Sequence, residues 1–351
     1  MRIVVNDIAA STGGALTVLK DFYNCIKEND QENEWIFLLG DRLLEETDNI
    51  KIRVLKDVKA SGIKKMIFDF FTGKKYIRSL NPDVVISLQN IITFGLKIPQ
   101  LVYIHQSIPF QNTKNFSFFK RSERKIAVYQ HIIGKIIKWS AKKSDCVIVQ
   151  TEWMRQAVCE SCNLPKDKVV KAMPNVKAIS KRVDDESFSK AEFFYPTSSG
   201  IYKNNTALVQ ASAALAQQGV AHKVIMTLPV EKSQENITCV GRIPYEQVLE
   251  YYRTSTLVFP SYIETFGYPL AEARKVGTII LAADTLFAHE LLDGYENAYF
   301  FDPFKPDQLA DLMQCVISGE ITRKNAVRDA CEESDSWLKV LHEIVSRGAK
   351  S

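Results

Sequence analysis

The chain has 351 residues, of which 46% are hydrophobic and 25% are charged. This length suits two globular domains of roughly 150–200 residues each, and this composition excludes a disordered tail, a fibre and a low-complexity scaffold. The formal net charge of +4 is unevenly distributed, because residues 1–175 contain 27 Lys and Arg but 18 Asp and Glu, which gives +9 there and −5 in the remainder.

The apolar runs and the cysteines indicate a cytoplasmic protein without a membrane span. The longest apolar run, 278–283, is far shorter than the ~20 residues that cross a bilayer. The N-terminus turns polar at Asn6, unlike a secretory signal. Seven scattered cysteines favour free thiols in a reducing compartment. The single Cys159-x-x-Cys162 pair lacks the second pair that a zinc ribbon needs.

Short apolar segments alternate with amphipathic ones along the N-terminal half, which predicts parallel βαβ units. The predicted strands are 3–6, 35–39, 52–55, 84–87, 101–104 and 147–150. The predicted helices include 15–27 and 130–143. After Met173-Pro174-Asn175 the alternation pauses in the polar segment 176–190, which is typical of a connection between domains.

The same alternation resumes in the C-terminal half. The predicted strands are 193–195, 223–227, 238–240, 257–259, 278–281 and 299–301. The predicted helices are 205–217, 245–253, 268–275, 287–292 and 307–318. We therefore expect two α/β domains with doubly wound parallel sheets. Ligands of such sheets bind beyond the carboxyl ends of the strands, and two facing sheets would hold a ligand in the cleft between them.

The first predicted strand runs into Ser11-Thr12-Gly13-Gly14, which precedes a helix. Gly13 and Gly14 allow a tight turn, and the free amides of a helix N-terminus attract anions. The spacing differs from the G-x-G-x-x-G fingerprint of dinucleotide sites. Two interpretations stay open here: contact with a phosphate or an acceptor, or a plain turn between a strand and a helix.

A basic segment with interleaved aromatic residues extends from Lys114 to Lys143, with nine Lys and Arg and one acid, Glu123. Helical spacing places its apolar residues on one face; they are Ile126, Tyr129, Ile133, Ile136 and Ile137. The basic residues and a histidine fall opposite; they are Arg124, His131, Lys135, Lys138 and Lys142.

Two interpretations of this segment are open. A basic amphipathic helix can lie on an anionic membrane surface, or the apolar stripe can pack on the domain core. The aromatic residues Phe116, Phe118 and Phe119, beside Lys120-Arg121, favour the membrane slightly. Nucleic acid is not expected as a partner, because no nucleic-acid-binding motif accompanies the charge.

Two carboxylates near residue 270 form the strongest candidate site. A predicted strand delivers Glu264 to a loop, and Glu272 follows eight residues later inside a helix. Gly267 lets backbone amides approach a ligand, and Pro269 fits the first turn of that helix. Two carboxylates so placed can accept hydrogen bonds from different hydroxyls of one polyol. The alternative is two acids without a joint role.

The spacing of Glu264 and Glu272 resembles the E-x7-E motif of the family 4 glycosyltransferases, which are retaining enzymes of the GT-B fold. Other segments are also similar to that family; they are 151–153, 173–175, 240–244, 277–284, 299–303 and the helix that starts at Ser336-Trp337. The resemblance covers nearly the whole chain and is best over 193–303. It implies a GT-B architecture: two Rossmann-like domains, 1–175 on the acceptor side and 176–334 for the nucleotide sugar, facing a cleft, with helix 335–351 packing back on the first.

The resemblance implies a role for each matching residue. Glu264 would bind hydroxyls of the donor sugar, and Glu272 the ribose hydroxyls. Lys203 would neutralise the diphosphate leaving group, and His105, at the end of a predicted strand, would line the donor sugar. Further donor contacts are expected from Thr265, Phe266, Gly267, Val240, Arg242 and Ser198.

The chain departs from the family in one loop. An Arg usually stands a few residues before the Lys, whereas here the sequence reads Pro196-Thr197-Ser198-Ser199-Gly200. Hydroxyls, backbone amides, Lys203 alone or Arg242 from another loop must then serve the phosphates. The departure also admits an inactive homologue.

These observations and the resemblance together predict a metal-independent glycosyltransferase, and the resemblance implies that it retains anomeric configuration. No Asp-x-Asp motif is present, so we expect no obligatory metal and no cofactor apart from a UDP- or GDP-sugar donor. The basic segment, with Lys120, Arg121, Lys135, Lys138 and Lys142, suggests a peripheral location at the inner face of the cytoplasmic membrane. There the acceptor would be a lipid-linked glycan or an oligosaccharide, as in O-antigen, capsule or lipopolysaccharide synthesis.

Three alternatives are open. A GT-B sugar-nucleotide epimerase is disfavoured by the particular residues of the E-x7-E motif. A non-catalytic subunit that binds nucleotide sugars and scaffolds a polysaccharide complex is supported by the missing Arg alone. A nicotinamide-dependent dehydrogenase is disfavoured by the missing glycine fingerprint.

Overall fold

The computed structural model describes residues 1–11, 14–176, 187–324 and 336–349. The chain forms two compact units, one of residues 1–175 with 333–351 and one of residues 176–332. No helix within the described ranges is long and apolar enough to cross a membrane.

The N-terminal unit is built on a seven-stranded parallel sheet. Its strands are Arg2–Asp7 (β1), Glu34–Leu39 (β2), Ile50–Val54 (β3), Val84–Ser87 (β4), Gln100–Ile104 (β5), Cys146–Val149 (β6) and Val169–Lys171 (β7). The strand order is β3-β2-β1-β4-β5-β6-β7. The central strands are almost entirely buried, as parallel strands covered on both faces require.

Helices connect these strands. They are Gly14–Asn29 (α1), Lys56–Lys59 (α2), Gly62–Ile67 (α3), Gly73–Ser79 (α4), Arg124–Val128 (α5), Gly134–Lys143 (α6) and Glu152–Cys162 (α7). One π-helical turn, Phe68–Thr72, joins α3 to α4, and another, Tyr129–Ile133, joins α5 to α6. A short 3-10 turn, Lys166–Lys168, precedes β7.

The C-terminal unit contains a six-stranded parallel sheet. Its strands are Glu192–Tyr195 (β8), Lys223–Met226 (β9), Ile237–Cys239 (β10), Thr256–Phe259 (β11), Ile280–Ala283 (β12) and Ala298–Phe301 (β13). The order is β10-β9-β8-β11-β12-β13. In each sheet the order in which successive strands are added therefore reverses beside the first strand. The reversal lies between β1 and β4 in one sheet and between β8 and β11 in the other. Ligands of open α/β sheets bind at such reversals.

The helices of the C-terminal unit are Asn205–Gln217 (α8), Tyr245–Thr254 (α9), Tyr268–Val276 (α10), Leu286–Leu292 (α11) and Pro306–Ser318 (α12). Two 3-10 turns, Ile201–Lys203 and Val230–Lys232, follow β8 and β9. A last helix, Ser336–Gly348 (α13), belongs to the N-terminal unit.

The fold class predicted from the sequence is confirmed, and each of its twelve strands is present within two residues of the expected bounds. The thirteenth strand, β7, was not predicted because three residues are too few to show a period. Helices α2–α4 and α7 were not predicted either. The predicted helix 130–143 is the later part of a longer segment, which begins at Arg124 and changes to π-helical geometry at Tyr129.

Helix α13 completes the core of the N-terminal unit. Trp337 is 4% exposed and lies with its ring centroid 5.0 Å from that of Phe22 and 5.5 Å from that of Tyr103. Val340 and Ile344 follow on the same face and are also buried. The last turns of the chain thus fill a space between α1 and the sheet.

We expect Trp337→Ala to destabilise the N-terminal unit by about 3–5 kcal/mol, because it removes a buried aromatic side chain and leaves a cavity. Urea unfolding followed by circular dichroism measures this change. The neighbouring Leu338 is 39% exposed, so Leu338→Ala is the matched control, with an expected loss below about 1 kcal/mol. Equal losses in both variants would contradict this packing role.

Candidate active site

A lysine and a glutamate meet where the sheet of the C-terminal unit reverses. Strands β8 and β11 are neighbours in the sheet, so the loops that follow them lie side by side. Lys203, after β8, forms an ion pair with Glu264, after β11. Their side chains are 21% and 17% exposed. The pair is thus within reach of a ligand but largely shielded from bulk water.

Hydrogen bonds join these two loops. Ser261 Oγ lies 2.7 Å from Glu264 Oε1 and 3.2 Å from the carbonyl oxygen of Tyr202. The hydroxyl of Tyr195 donates to the carbonyl of Lys203 at 2.7 Å. Ser261 thus contacts the Glu264 carboxylate and the loop that carries Lys203, and Tyr195 anchors the Lys203 backbone.

The turn after Glu264 depends on a glycine. Gly267 has a φ of +97° and directly precedes α10, with Pro269 in the first helical turn. That φ lies in the left-handed region, where a side chain is strained. Phe266 is 1% exposed, so its ring belongs to the core. Only the backbone of Phe266 can therefore face a ligand. Thr265 is partly buried.

Two tyrosines hold the second carboxylate. The hydroxyls of Tyr245 and Tyr252 donate to the two oxygens of Glu272 at 3.1 Å and 3.2 Å. Burial and the adjacent carboxylate raise the pKa of both phenols, so both stay protonated and remain donors. Sequence analysis proposed Glu272 but missed the tyrosines, although their positions in α9, seven residues apart, place them on one helical face.

The predicted base-binding loop is partly committed to the sheet. The amides of Val240 and Gly241 donate to the carbonyls of Met226 and Leu228 at 2.9 Å and 2.8 Å. These two amides are therefore unavailable to a nucleotide base, and base binding by this loop stays a prediction. Arg242 is exposed.

A cation that sequence analysis missed lies beside the loop after β8. Ser198 and Ser199 are both exposed. The ammonium of Lys232, in the loop after β9, lies 3.3 Å from Ser199 Oγ. Both residues line a cavity of about 350 Å³ that also includes Asn205, at the start of α8. Lys232 therefore brings positive charge to the serine-rich loop. No motif marks it in the sequence.

The N-terminal unit has its own cavity at the reversal between β1 and β4. It has a volume of about 480 Å³. One part of its wall is apolar and includes Ala10, Met66, Phe70, Ile133 and Ile136. The other part is polar and consists of Asp7, Lys65, Asp69, Gln89, Asn90, His105 and Gln106. The cavity thus offers an apolar side and a hydrogen-bonding side to the same ligand.

Its buried polar groups carry little net charge. Lys65 pairs with Asp69 at 2.7 Å, and Gln89 donates to the same carboxylate at 3.2 Å. Asp7 is 2% exposed, and burial raises the pKa of its carboxyl to about 8. At neutral pH this acid is mostly protonated. The polar wall therefore suits a neutral hydroxylated ligand better than an anion.

His105, directly after β5, lines this cavity. Its predicted contact with the donor sugar stays a prediction. Its backbone amide donates to Asn90 Oδ1 at 2.9 Å, whereas its Nδ1 is buried without a hydrogen-bond partner among the described residues. Burial lowers the pKa of its imidazole to about 4, so the ring is neutral. Gln89 Oε1 is also buried without a described partner. Both residues line the cavity, and each of these atoms keeps an unused hydrogen-bonding capacity among the described residues.

The start of α1 borders the same cavity. Gly14 is the first residue of α1, and its neighbour Ala15 lines the cavity together with Ala9 and Ala10. Gly13 lies outside the described residues. The predicted phosphate or acceptor contact at these glycines stays a prediction.

The basic segment packs some of its apolar side chains on the core and leaves others exposed. Ile137 is buried, and Tyr129, Ile133 and Ile136 pack partly against the core, but Ile132 remains 54% exposed. The prediction that Phe116 belongs to an exposed aromatic edge is wrong. Phe116 is 3% exposed, and its backbone amide donates to Gln130 Oε1. The other two aromatic residues, Phe118 and Phe119, are 40% and 95% exposed.

Four of the five expected membrane lysines and arginines are exposed; they are Lys120, Arg121, Lys135 and Lys142. Lys138 is partly buried, and its ammonium lies 5.5 Å from the centroid of the Phe110 ring. A cation held over a ring face contributes less to a charged surface, so we expect Lys138 to be the weakest of the five.

Metal ligands are not grouped in the described part of the chain, where no three His, Cys, Asp or Glu side chains lie together as a metal site. Independence of a metal stays a prediction.

Two family models match the chain. The model described as Glycosyltransferase Family 4 matches residues 12–171, and the one described as Glycosyl transferases group 1 matches residues 231–332. Together they span about three quarters of the chain. The chain is a glycosyltransferase of the family 4 type. Glu264 and Glu272 lie within the second matched region, and His105 lies within the first. Among curated proteins, no sequence matches this glycosyltransferase.

Solved structures share the GT-B fold of this glycosyltransferase. The lipopolysaccharide outer core galactosyltransferase WaaB, in its apo form, superposes with a TM-score of 0.68 at 15% identity, over 99% of this chain and 100% of WaaB. Anabaena Alr3699/HepE in complex with UDP-glucose gives 0.61 at 15% identity, over 100% and 98%. TarM gives 0.57 at 17% identity, over 78% of this chain, which spans 57% of the length of TarM.

We expect the stability of the glycosyltransferase to fall as the pH rises, because of Asp7. Its pKa of about 8 lies well above the ordinary aspartate value of 3.8, so the folded state holds a proton that the unfolded state releases. From about pH 6.5 to about pH 8.5 this linkage lowers the free energy of unfolding by about 2 kcal/mol. Burial lowers the pKa of the His105 imidazole to about 4, so the folded state holds it neutral in that window, whereas an unfolded histidine still binds protons near pH 6.5. His105 therefore opposes the fall, but by only about 0.4 kcal/mol.

Asp7→Asn removes this titration and keeps a side chain of the same shape. Urea unfolding at the two pH values should therefore show a flatter pH dependence in Asp7→Asn than in the wild type. Asp41→Asn is the matched control, since Asp41 is exposed. A slope that persists in Asp7→Asn would show that another group carries it.

Proposed function

We propose that this glycosyltransferase moves a sugar from a UDP- or GDP-sugar to a lipid-linked glycan, with retention of anomeric configuration, in bacterial surface polysaccharide synthesis. The observation that carries the proposal is the Lys203–Glu264 ion pair at the sheet reversal. One half of this pair suits the anionic leaving group of such a donor, and the other half suits the hydroxyls of its sugar.

In the reaction the acceptor oxygen forms a bond to the anomeric carbon while the bond from that carbon to the diphosphate oxygen breaks. The acceptor proton passes to the departing phosphate on the same face of the sugar. Lys203 stabilises the charge that develops on the diphosphate, and Glu264 orients the sugar. Glu272, with its two tyrosine donors already in place, accepts hydrogen bonds from the ribose.

The proposed donor agrees with one structural neighbour, because HepE was solved with UDP-glucose. Lysine and serine groups would take the place of the missing arginine. Lys232 already contacts Ser199 in the serine-rich loop, so we propose it, ahead of Arg242, as the second cation for the diphosphate.

The proposed acceptor is assigned to the cavity of the N-terminal unit. Its neutral polar wall, with the unpartnered His105 Nδ1 and Gln89 Oε1, suits sugar hydroxyls. The basic segment Lys114–Lys143 would hold the enzyme as a peripheral protein at the cytoplasmic face of an anionic membrane. One structural neighbour, WaaB, is a galactosyltransferase of the lipopolysaccharide outer core. This supports the proposal that the present enzyme acts in the synthesis of a surface polysaccharide such as O-antigen.

We expect Glu264→Gln to reduce sugar transfer by about 10²–10³-fold, because an amide cannot replace a carboxylate that accepts from a hydroxyl and pairs with Lys203. Release of nucleoside diphosphate in the presence of a membrane lipid extract measures transfer. Glu250→Gln, on the exposed side of α9, is the matched control and should retain activity. An active Glu264→Gln variant would remove the central residue of the proposal. A wild type that binds donor without turnover would favour the scaffold alternative.

We expect UDP or GDP, but neither ADP nor NAD, to raise the thermal midpoint of the wild type. A ligand at 100 times its dissociation constant adds about 2.7 kcal/mol, which shifts the midpoint by several degrees. Lys203→Ala and Lys232→Met should each weaken nucleotide affinity about tenfold or more, because each removes a charged partner of the diphosphate.

Lys223→Met is the matched control for the two lysine variants. Lys223 begins β9, at the opposite end of the strand from Lys232, and pairs with Glu192 at the surface. Its loss should leave nucleotide affinity unchanged. If Lys232→Met behaves like this control, the second cation must be sought elsewhere, whereas no shift with any nucleotide in the wild type would contradict the proposed donor.

A further inference from the structure

A short segment of the N-terminal unit presents an apolar face to solvent. Ile63, Met66, Ile67 and Phe71 are 67%, 48%, 44% and 68% exposed. They lie on α3 and on the π-helical turn that follows it, at spacings that share one side of a helix. Large apolar side chains that are exposed together mark an interaction surface. We call these four residues the apolar face.

The segment is anchored through its opposite side. Phe68 and Asp69 are 4% and 2% exposed. The Phe70 ring stacks on Phe94, with a distance of 4.6 Å between ring centroids. The exposure of the apolar face is therefore a consequence of how the helix is packed, since the same helix has a second apolar side that does reach the core.

The apolar face continues onto the basic segment. The Trp139 ring stacks 4.2 Å from Phe94 and 6.2 Å from Phe70, and Trp139 is still 45% exposed. Ile132, in the same segment, is 54% exposed. The two helical segments thus form one surface, joined by the stacked rings.

Positive charge surrounds this surface. Lys64, Lys74 and Lys75 are exposed within or next to the apolar face. The one acid in residues 62–75, Asp69, is buried and paired with Lys65. Residues 1–175 carry a formal charge of +9. Like charge opposes pairing of two copies through this surface, whereas anionic lipid headgroups attract it.

We propose that the apolar face inserts into the interfacial region of an anionic bilayer, and that the basic segment Lys114–Lys143 lies beside it on the headgroups. Amphipathic helices bind in this way through apolar side chains on one side and basic residues at the edge. The inference rests on the proposed function in one respect, the lipid-linked acceptor. It assigns the inserted element to α3 and its π-helical turn rather than to the lysines of the basic segment.

The acceptor cavity opens at the same place. Met66 belongs to the apolar face and also lines the cavity, together with Lys65 and Phe70. An acceptor whose lipid stays in the bilayer can therefore reach the polar wall of the cavity along Met66 without crossing bulk water. This connection gives the apolar face a role in substrate access as well as in attachment.

Co-sedimentation with vesicles tests the inference. The vesicles contain equal amounts of phosphatidylcholine and phosphatidylglycerol, and the test variant is Ile63→Ser/Phe71→Ser. We expect its partition coefficient to fall about tenfold or more relative to the wild type, since apolar burial contributes strongly to interfacial binding. The matched control is Leu286→Ser/Phe304→Ser, because these residues of the C-terminal unit are 71% and 54% exposed. The control should bind as the wild type does.

Two further arms complete the test. Lys135→Gln/Lys142→Gln should weaken binding to the anionic vesicles in low salt, while vesicles of phosphatidylcholine alone should bind the wild type weakly. Unchanged binding by Ile63→Ser/Phe71→Ser would overturn the inference. So would a wild-type dimer, seen by sedimentation velocity without vesicles, that this variant abolishes, because the apolar face would then belong to a second copy.

The outcome is separable from that of the proposed function. Thermal shift with UDP or GDP reports on the C-terminal unit, and Ile63→Ser/Phe71→Ser should retain the wild-type shift. A variant that loses vesicle binding but keeps the nucleotide shift supports the apolar face as the inserted element. Normal vesicle binding by the wild type, lost in Ile63→Ser/Phe71→Ser, without any nucleotide shift would contradict the proposed donor but would still support membrane binding by the apolar face.

Discussion

The reversal of strand order in each parallel sheet is the constraint on which both candidate sites depend. At such a reversal two adjacent strands send their connections to opposite faces of the sheet, and the loops that follow them leave a crevice lined by residues far apart in sequence. In the C-terminal unit this brings Lys203 to Glu264, 61 residues later. In the N-terminal unit it brings Asp7 to the loop at Gln89 and Asn90. Burial of the strands on both faces then fixes these loops, because a shift of register would expose the core.

The ion pair of the free enzyme bears on donor selection. A buried charge that loses its partner costs more than the pair contributes. Under the proposed function, a free nucleotide would bind Lys203 but leave Glu264 without its cation, and a free sugar would have the converse effect. A nucleotide sugar supplies an anion to the lysine and hydroxyls to the carboxylate. Under the proposed function, the complete donor is therefore preferred to either of its parts.

Much of the fold was predictable, because alternating apolar and amphipathic segments report strands and helices directly. The candidate site residues Glu264, Glu272 and Lys203 came from motif spacing and family resemblance. The environment of these residues was not predictable. Lys232 reaches Ser199 only through the pairing of β8 with β9, and the cavity around Asp7 needs five separate segments. The apolar stripe of α3 has the period of a core-facing helix, yet the structure directs it outward. Periodicity reports which residues share a face, and packing alone decides what that face contacts.

The N-terminal unit has opposite electrostatic character outside and inside. Its surface lysines, such as Lys64 and Lys74, are exposed and positive. Inside the cavity Lys65 is neutralised by Asp69, and Asp7 holds a proton because burial raises the pKa of its carboxyl to about 8. Under the proposed function, this difference orients a lipid-linked acceptor. Its anionic phosphate groups remain at the basic surface beside the bilayer, while its neutral sugar enters the cavity. Charge at the surface and neutrality inside thus place the acceptor hydroxyl, rather than the phosphate, where transfer would occur.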